Sequence, residues 1–223
     1  MNLFDILGPV MVGPSSSHTA GAVRIGRMAR RLLDEGTPAH ADIALSGSFA
    51  ATGKGHGTDR AIVAGLLGMQ TDDERIACSF DHAEKEGLHF VFSRINLSAE
   101  HPNTARLTLT GRSGKKLCVT ASSLGGGRIV VVEMNGLRVS FSGDLPTLIV
   151  QNRDQPGHVR DVTDMLAKKG VNIATLNLYR DYPGGNAVMI IEADKEVPQD
   201  GIDYLNGIDG IHNVIFVSAK KAR

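Results

Sequence analysis

The sequence predicts an α+β fold in two domains: N-terminal helices packed on a mostly antiparallel sheet, followed by a βαββαβ module. Three observations carry this reading. Apolar residues recur at helical spacing after Pro14 and again after Thr58. From Leu88 to Phe141 the apolar period changes to two, as half-buried strands require. Beyond Pro146, strand and helix patterns follow one another in the order βαββαβ.

The first element opens at Ser15-Ser16-Ser17-His18-Thr19, which offers several N-cap side chains. Ile25, Met28, Ala29, Leu32 and Leu33 then form an apolar stripe, with Arg24, Arg27, Arg30, Arg31 and Asp34 on the other face. Gly36 and Pro38 stop this helix. Ile43-Ala44-Leu45 reads as a short strand, and the stretch from Ser46 to Gly57 as a loop rich in glycine and serine. Thr58 or Asp59 caps a second helix through Ile62, Val63, Leu66 and Leu67 to Gly68. Leu88, Phe90 and Phe92 alternate, as do Ala105, Leu107 and Leu109, and then Leu117, Val119 and Ala121. Asn135-Gly136 between Ile129–Met134 and Leu137–Phe141 is a strong hairpin signal. These strands are expected to form one antiparallel sheet with the two helices on a face.

Ser142 to Pro146 reads as a linker between a domain of residues 1–143 and one of residues 147–223. Thr147 to Asn152 is a strand, His158 to Lys169 a helix closed by Gly170, and Val171 to Tyr179 and Asn186 to Ala193 are strands. A short helix carries Ile202, Leu205 and Ile208 before a last strand from Ile211 to Ser218. The order is that of a ferredoxin-like unit.

Composition removes several function classes. Lys+Arg and Asp+Glu balance at 24 each and no basic run stands out, so no field is available to hold nucleic acid or an anionic membrane. Tryptophan is absent and aromatics make up 4%, which argues against a base-stacking surface. Met1 to Val12 lacks the pattern of a signal peptide and no run approaches a membrane span, which predicts a cytoplasmic chain. Cys78 and Cys118 stand far apart with no CxxC, so a four-thiolate iron–sulfur cluster has no ligand set in this chain, and no metal site is predicted.

Two stretches carry chemistry. In Ser15 to Gly21, three hydroxyls and an imidazole meet a helix N-terminus, an arrangement that suits a carboxylate or a reacting hydroxyl. The stretch from Ser46 to Asp59 invites comparison with a P-loop. Its spacing from Gly47 to Gly53-Lys54 is one residue too long, and Gly55 replaces the Ser/Thr, which argues against nucleotide binding. A chain of 223 residues with a separate C-terminal module is also too short for Lys54 to act as a pyridoxal Schiff base in the usual folds. His56 lies between two glycines without apolar neighbours and is a candidate proton carrier.

Leu148-Ile149-Val150-Gln151-Asn152-Arg153-Asp154-Gln155-Pro156-Gly157-His158-Val159, with Gly170-Val171-Asn172-Ile173, resembles the opening of an ACT domain. That resemblance implies a small amino-acid ligand near Asn152, Gln155, Gly157, His158 and Asn172, or a homodimer through side-by-side sheets. Gly8 to Pro14 leading into Ser15-Ser16-Ser17-His18-Thr19 resembles the opening of the beta chain of iron–sulfur-dependent L-serine dehydratases. Ser46 to Phe49, Thr52 to Asp59, His101-Pro102-Asn103-Thr104 and Ser123 to Gly127 are similar to further stretches of that family.

The resemblance implies a subunit that converts L-serine to pyruvate and ammonia together with an alpha chain. That alpha chain would bind the [4Fe–4S] cluster, and the resemblance leaves room for a monovalent cation. It implies that His18, His56, Ser16, Ser17 and Thr19 face the chemistry. Ser15, Ser46, Ser48, Thr52, Lys54, Thr58 and Asp59 would then shape a substrate and interface loop. A stand-alone amino-acid sensor is the rival reading, and it leaves the two N-terminal stretches without a purpose.

Overall fold

A computed structural model describes residues 10–97 and 100–219. The chain forms two compact units, residues 1–136 and 137–223, so the division falls in the Asn135-Gly136 turn, ahead of the linker read from the sequence. Gly8 and Pro9 of the opening motif lie outside the described residues.

The first unit starts with a π-helical turn, Ser16–Gly21, that runs into helix α1, Ala22–Leu33. Helix α1 ends at Asp34, which adopts the left-handed conformation at φ 60°, two residues before the Gly36 stop. Its arginines are half-buried rather than a solvated face: Arg24 donates to the Gly127 carbonyl and Arg27 to the Gln70 side chain. Burial, reinforced by the charges of Arg31, Arg24 and Arg30, pushes Arg27 down to about 10. Strand β1, His40–Ser46, follows and is longer than the three residues expected.

The stretch read as a glycine-serine loop is instead helix α2, Gly47–His56. Propensity alone disfavours a helix there. Tertiary packing overrides it, because Phe49 is fully buried and anchors the segment. Gly47 allows the turn from strand to helix with φ at 55°, and a Cβ there would lie 2.5 Å from the Pro102 carbonyl oxygen. Helix α3, Thr58–Leu66, is capped by Gly57 in the left-handed conformation; neither Thr58 nor Asp59 supplies a side-chain cap.

A 3-10 turn, Glu74–Cys78, and helix α4, Ser79–Glu86, precede strand β2, His89–Arg94. These two helical pieces were not expected, since their short apolar pattern of Ile76, Phe80 and Ala83 hides among charges. Strands β3, Asn103–Thr110, β4, Lys116–Gly125, and β5, Arg128–Met134, complete the first unit, and β6, Leu137–Phe141, opens the second. The strands of the first unit lie in the order β2-β1-β3-β4-β5. Their pairing is mostly antiparallel, with one departure: β2 pairs in parallel with β1, because the chain crosses over through α2, α3 and α4 between them.

Helices α1 and α3 meet backbone to backbone. A Cβ on Gly26 would overlap the Ile62 carbonyl oxygen, and one on Gly65 that of Val23, with the Gly26 Cα only 2.9 Å away. A mid-helix glycine costs about 1 kcal/mol relative to alanine, and here the close crossing offsets that cost.

The second unit contains β7, Thr147–Arg153, helix α5, His158–Lys168, β8, Ile173–Arg180, β9, Asn186–Ala193, helix α6, Gln199–Asn206, and β10, Ile211–Val217. The sheet runs β10-β7-β9-β8, so the first and third strands of the module lie in its centre. Leu148, Val150, Met189 and Ile191 pack against Val162, Leu166 and Leu205 from α5 and α6. No helix among the described residues is long and apolar enough to cross a membrane.

Gly65→Ala is expected to destabilise the chain by about 1–3 kcal/mol, the usual cost of overpacking. Gly55 has open space around it, so Gly55→Ala is expected to be neutral or to stabilise by up to about 1 kcal/mol. Urea unfolding of both variants checks this; equal midpoints would show that α1 and α3 do not touch.

Candidate functional site

His18 is fixed by its own turn. Ser15 is the N-cap, and its hydroxyl oxygen accepts from the His18 backbone N–H at 3.1 Å while the Thr19 N–H donates to the Ser15 carbonyl. The π-helical winding that follows is rare in proteins and recurs where a side chain must be re-aimed. It directs the His18 ring toward α2, where Nε2 lies 3.1 Å from both Ser48 Oγ and Thr52 Oγ1. Thr52 donates its own proton to the Ser48 carbonyl at 2.9 Å. Toward the ring it therefore accepts, which favours the Nε2–H tautomer and leaves Nδ1 basic, 3.4 Å from Ser15 Oγ.

Two further rings surround His18. The Phe49 ring lies at 5.3 Å in an edge-on arrangement, and the His56 ring at 5.0 Å. Partial burial lowers the His18 pKa below its ordinary 6.5, and the positive charge that His56 can carry lowers it further. Both effects favour the neutral imidazole, with the Nδ1 lone pair facing the Ser15 hydroxyl at 3.4 Å, which is the state a proton acceptor needs.

Segments distant in sequence close the site. The Gly126 N–H donates to Ser16 Oγ at 3.3 Å, and Gly21 leaves room for the side chain of Ser123, whose hydroxyl is buried without a partner among the described residues. The Ser48 N–H donates to the Pro102 carbonyl at 2.8 Å, and Gly47 bridges Asn103. The Thr104 hydroxyl lies 2.6 Å from that of Ser122. Two of the four stretches singled out in the sequence thus meet at the His18 imidazole, and the other two pack against them, one on Gly47 and Ser48 and one on Ser16 and Gly21.

The candidate residues separate into two groups. Ser15, Ser16, Ser48, Thr52 and His56 gather around His18, and Ser17 is partly exposed in the same turn beside Gly125. Thr19, Ser46 and Thr58 are buried. Thr19 donates to the His56 carbonyl at 3.5 Å, and Ser46 accepts from the Leu97 N–H, so both brace the loops. Asp59 lies in the first turn of α3 and accepts from the Arg60 N–H. Lys54 lies on α2, and its side chain is outside the described residues. Phe49 was not among the site residues picked from the sequence, where its stretch read as a loop; only the fold shows its ring 5.3 Å from the imidazole.

In the second unit, Asn152 ends β7 beside Ile211, and a Cβ on Gly210 would lie 2.7 Å from His158 Nε2 and 3.4 Å from Gln155 Oε1. Asn152 Oδ1 and His158 Nε2 are buried without a hydrogen-bond partner among the described residues, while His158 Nδ1 faces the Asp161 carboxylate at 3.7 Å. Gly157 precedes α5 at φ 108°, with open space where a side chain would stand. Asn172 does not join this group. It precedes Ile173, which pairs with Ala193, whereas Asn152 pairs with Ala187 at the other end of β9. Its amide donates instead to Asp194 at 2.6 Å. Asp154 also escaped the sequence reading; it accepts from Arg180 and from the Gly184 N–H and so ties the β8–β9 turn to the β7 loop.

Comparison with known proteins follows this geometry. Residues 2–86 match the family model described as serine dehydratase beta chain. A probable L-serine dehydratase beta chain of Bacillus subtilis is 42% identical over 213 residues, 96% of each chain. The L-serine dehydratase beta chain of Peptoniphilus asaccharolyticus is 36% identical over 92% of this chain and 93% of its own. An L-serine dehydratase of Escherichia coli is 30% identical over 81% of this chain, a stretch that makes up 43% of that protein. With near-full-length likeness at this level, the chain belongs to the L-serine dehydratase beta-chain family.

Proposed function

We propose that this chain is the beta subunit of an L-serine dehydratase and that its His18 cluster handles protons during the elimination. The near-full-length likeness to two such beta chains carries this reading. The meeting of two segments at His18, with two more packed against them, supports it. In the longer Escherichia coli relative the matched stretch is under half of the protein; that fits a division in which a separate alpha chain supplies the rest here.

The reaction removes the weakly acidic Cα proton of L-serine and expels the β-hydroxyl, and the resulting enamine hydrolyses to pyruvate and ammonia. His18 Nδ1, held neutral by Phe49 and His56, accepts a proton. Ser48 and Thr52 hold the ring in one tautomer and orientation. Ser16 and Ser17, at the N-terminal turn, present hydroxyls to the substrate's carboxylate or hydroxyl.

An iron–sulfur cluster does not fit the donors of this chain. The only two cysteines lie on separate elements, Cys78 in the 3-10 turn and Cys118 on β4, and no group of three or more metal-binding side chains exists among the described residues. The cluster is therefore assigned to the alpha chain, and no step is routed through this one.

The second unit is proposed to be an ACT module. Its βαββαβ order supports this, as does the group of buried polar atoms at Asn152 and His158 with Gln155 beside them. A small amino acid held there would satisfy those atoms, with its carboxylate at the start of α5. Strand β8 is an edge of its sheet and carries Leu178, 44% exposed, which suits pairing with a second copy.

Five outcomes are expected. The purified chain alone does not turn over L-serine and gains activity only with a cysteine-rich partner; turnover by the metal-stripped chain alone would overturn the two-chain reading. In the assembled enzyme His18→Ala lowers turnover by about 10²-fold or more. By NMR, the His18 ring titrates below 6.5. Because its native pKa is depressed, the stabilisation it reflects is present above 6.5 and is lost as pH falls. His56→Ala removes the ring whose coulombic effect lowers the His18 pKa, so the His18 midpoint should rise toward 6.5, and an unmoved midpoint would separate the two histidines. Gly157→Val, which forces a side chain into φ 108°, should abolish any effector response while the first unit stays folded; an unchanged response would leave the module a purely dimerising one.

A further inference from the structure

We infer that the first unit carries a second small-molecule site, for an apolar α-amino acid, at the carboxyl ends of the parallel strands β1 and β2. A cavity of about 330 Å³ opens there, lined by Leu45, Phe49, Ala51 and Phe92 on its apolar side and by Asp59 and Arg94 on its polar side. Its size falls within the range of about 300–1,000 Å³ found for small-molecule pockets.

Topology explains why the cavity exists. Leu45 and Arg94 are paired at the last step of the parallel register, and Ile43 and Phe92 two residues before it. Beyond that step β1 turns into α2 while β2 runs out to Ile95, whose N–H still donates to the Leu45 carbonyl. Strand β1 has a parallel neighbour on one side and an antiparallel one on the other. The helix leaves the sheet where β1 ends while the chain after β2 runs on beside it, and the crevice opens there, the position where sheets with helical crossovers take ligands.

The lining chooses the chemistry. Arg94 is exposed at its end of β2 and presents a planar fork suited to a carboxylate. Asp59 uses one oxygen on the Arg60 N–H at 2.8 Å and keeps the other for an ammonium group. The two charges do not pair with each other among the described residues. Between them the wall is aliphatic and aromatic, which matches a hydrocarbon side chain and penalises the hydroxyl of serine. The site is distinct from the group at Asn152 and His158, which lies in the other unit.

Phe49 lies between the cavity and His18: it is fully buried at the back of the cavity wall, and its ring is 5.3 Å from the imidazole. An occupant that shifts the helix carrying Phe49 moves that ring against His18, so the cavity is placed to regulate the histidine. That regulatory consequence rests on the proposed role of His18; the binding site does not.

The test uses the full chain alone, with L-leucine as probe by calorimetry and by NMR of the His18 ring. L-leucine should bind and shift the His18 resonances. 4-Methylpentanoate and isoamylamine, which lack one charge each, and L-serine should bind at least about tenfold more weakly, a difference of about 1.4 kcal/mol. Arg94→Gln, and Ala51→Phe, which fills the cavity from an exposed helix position, should each cost a similar factor without moving the urea midpoint. Gly157→Val should leave leucine binding intact. Binding unaffected by both cavity variants, or abolished by Gly157→Val, would overturn the site. So would the absence of any leucine binding tighter than about 1 mM. Leucine binding that responds to Arg94→Gln supports it even if the assembled enzyme fails to act on serine.

Discussion

The contact between Gly26 and Gly65 is the constraint on which the N-terminal site depends. Because neither residue has a side chain, α1 and α3 approach until backbone touches backbone. His18 lies in the turn that feeds α1, and His56 is the last residue of α2, one glycine before α3. The helix crossing therefore sets the separation of the two imidazoles. Side chains at the crossing would hold the helices apart, and the 5.0 Å separation of the rings would be lost with them.

Around that crossing the polar chemistry is built from paired opposites. His18 stands between a fully buried phenyl ring and two hydroxyls. The ring removes water and so favours the neutral imidazole, and the hydroxyls fix which nitrogen keeps the lone pair. The Thr58 hydroxyl is buried without a hydrogen-bond partner among the described residues, whereas Ser46 and Thr19 are buried and hydrogen-bonded to neighbouring backbone, which makes them braces. Buried hydroxyls of this kind hold a loop in one conformation by the cost of leaving their hydrogen bonds unmade. The division between the two groups follows burial, not residue type.

The second unit shows the same logic with a different outcome. Its core is an ordinary contact of alternating strand residues with two helices, yet at one end Asn152 and His158 are buried with polar atoms unpaired. Each such atom costs about 1–3 kcal/mol if nothing meets it. A ligand placed there, as proposed above, would recover that cost, whereas at the opposite end the Asn172 amide already donates to Asp194.

The sequence by itself determined the two-unit α+β class, the α1 stripe, the Asn135-Gly136 turn and the order of the second unit. It also singled out Ser15 to Thr19 and Ser46 to Asp59, and the resemblance to a known family added His101 to Thr104 and Ser123 to Gly127. These features are local: periodicity, turn chemistry and motif spacing act within a few residues. The tertiary structure alone decided that residues 47–56 are helical, that β2 runs parallel to β1, and that Phe49 walls His18. It alone showed that Asn152 and Asn172 stand at opposite ends of one sheet. Each of these is a contact between residues far apart in the chain, whose energy appears only once both partners are folded, so no window of sequence contains it.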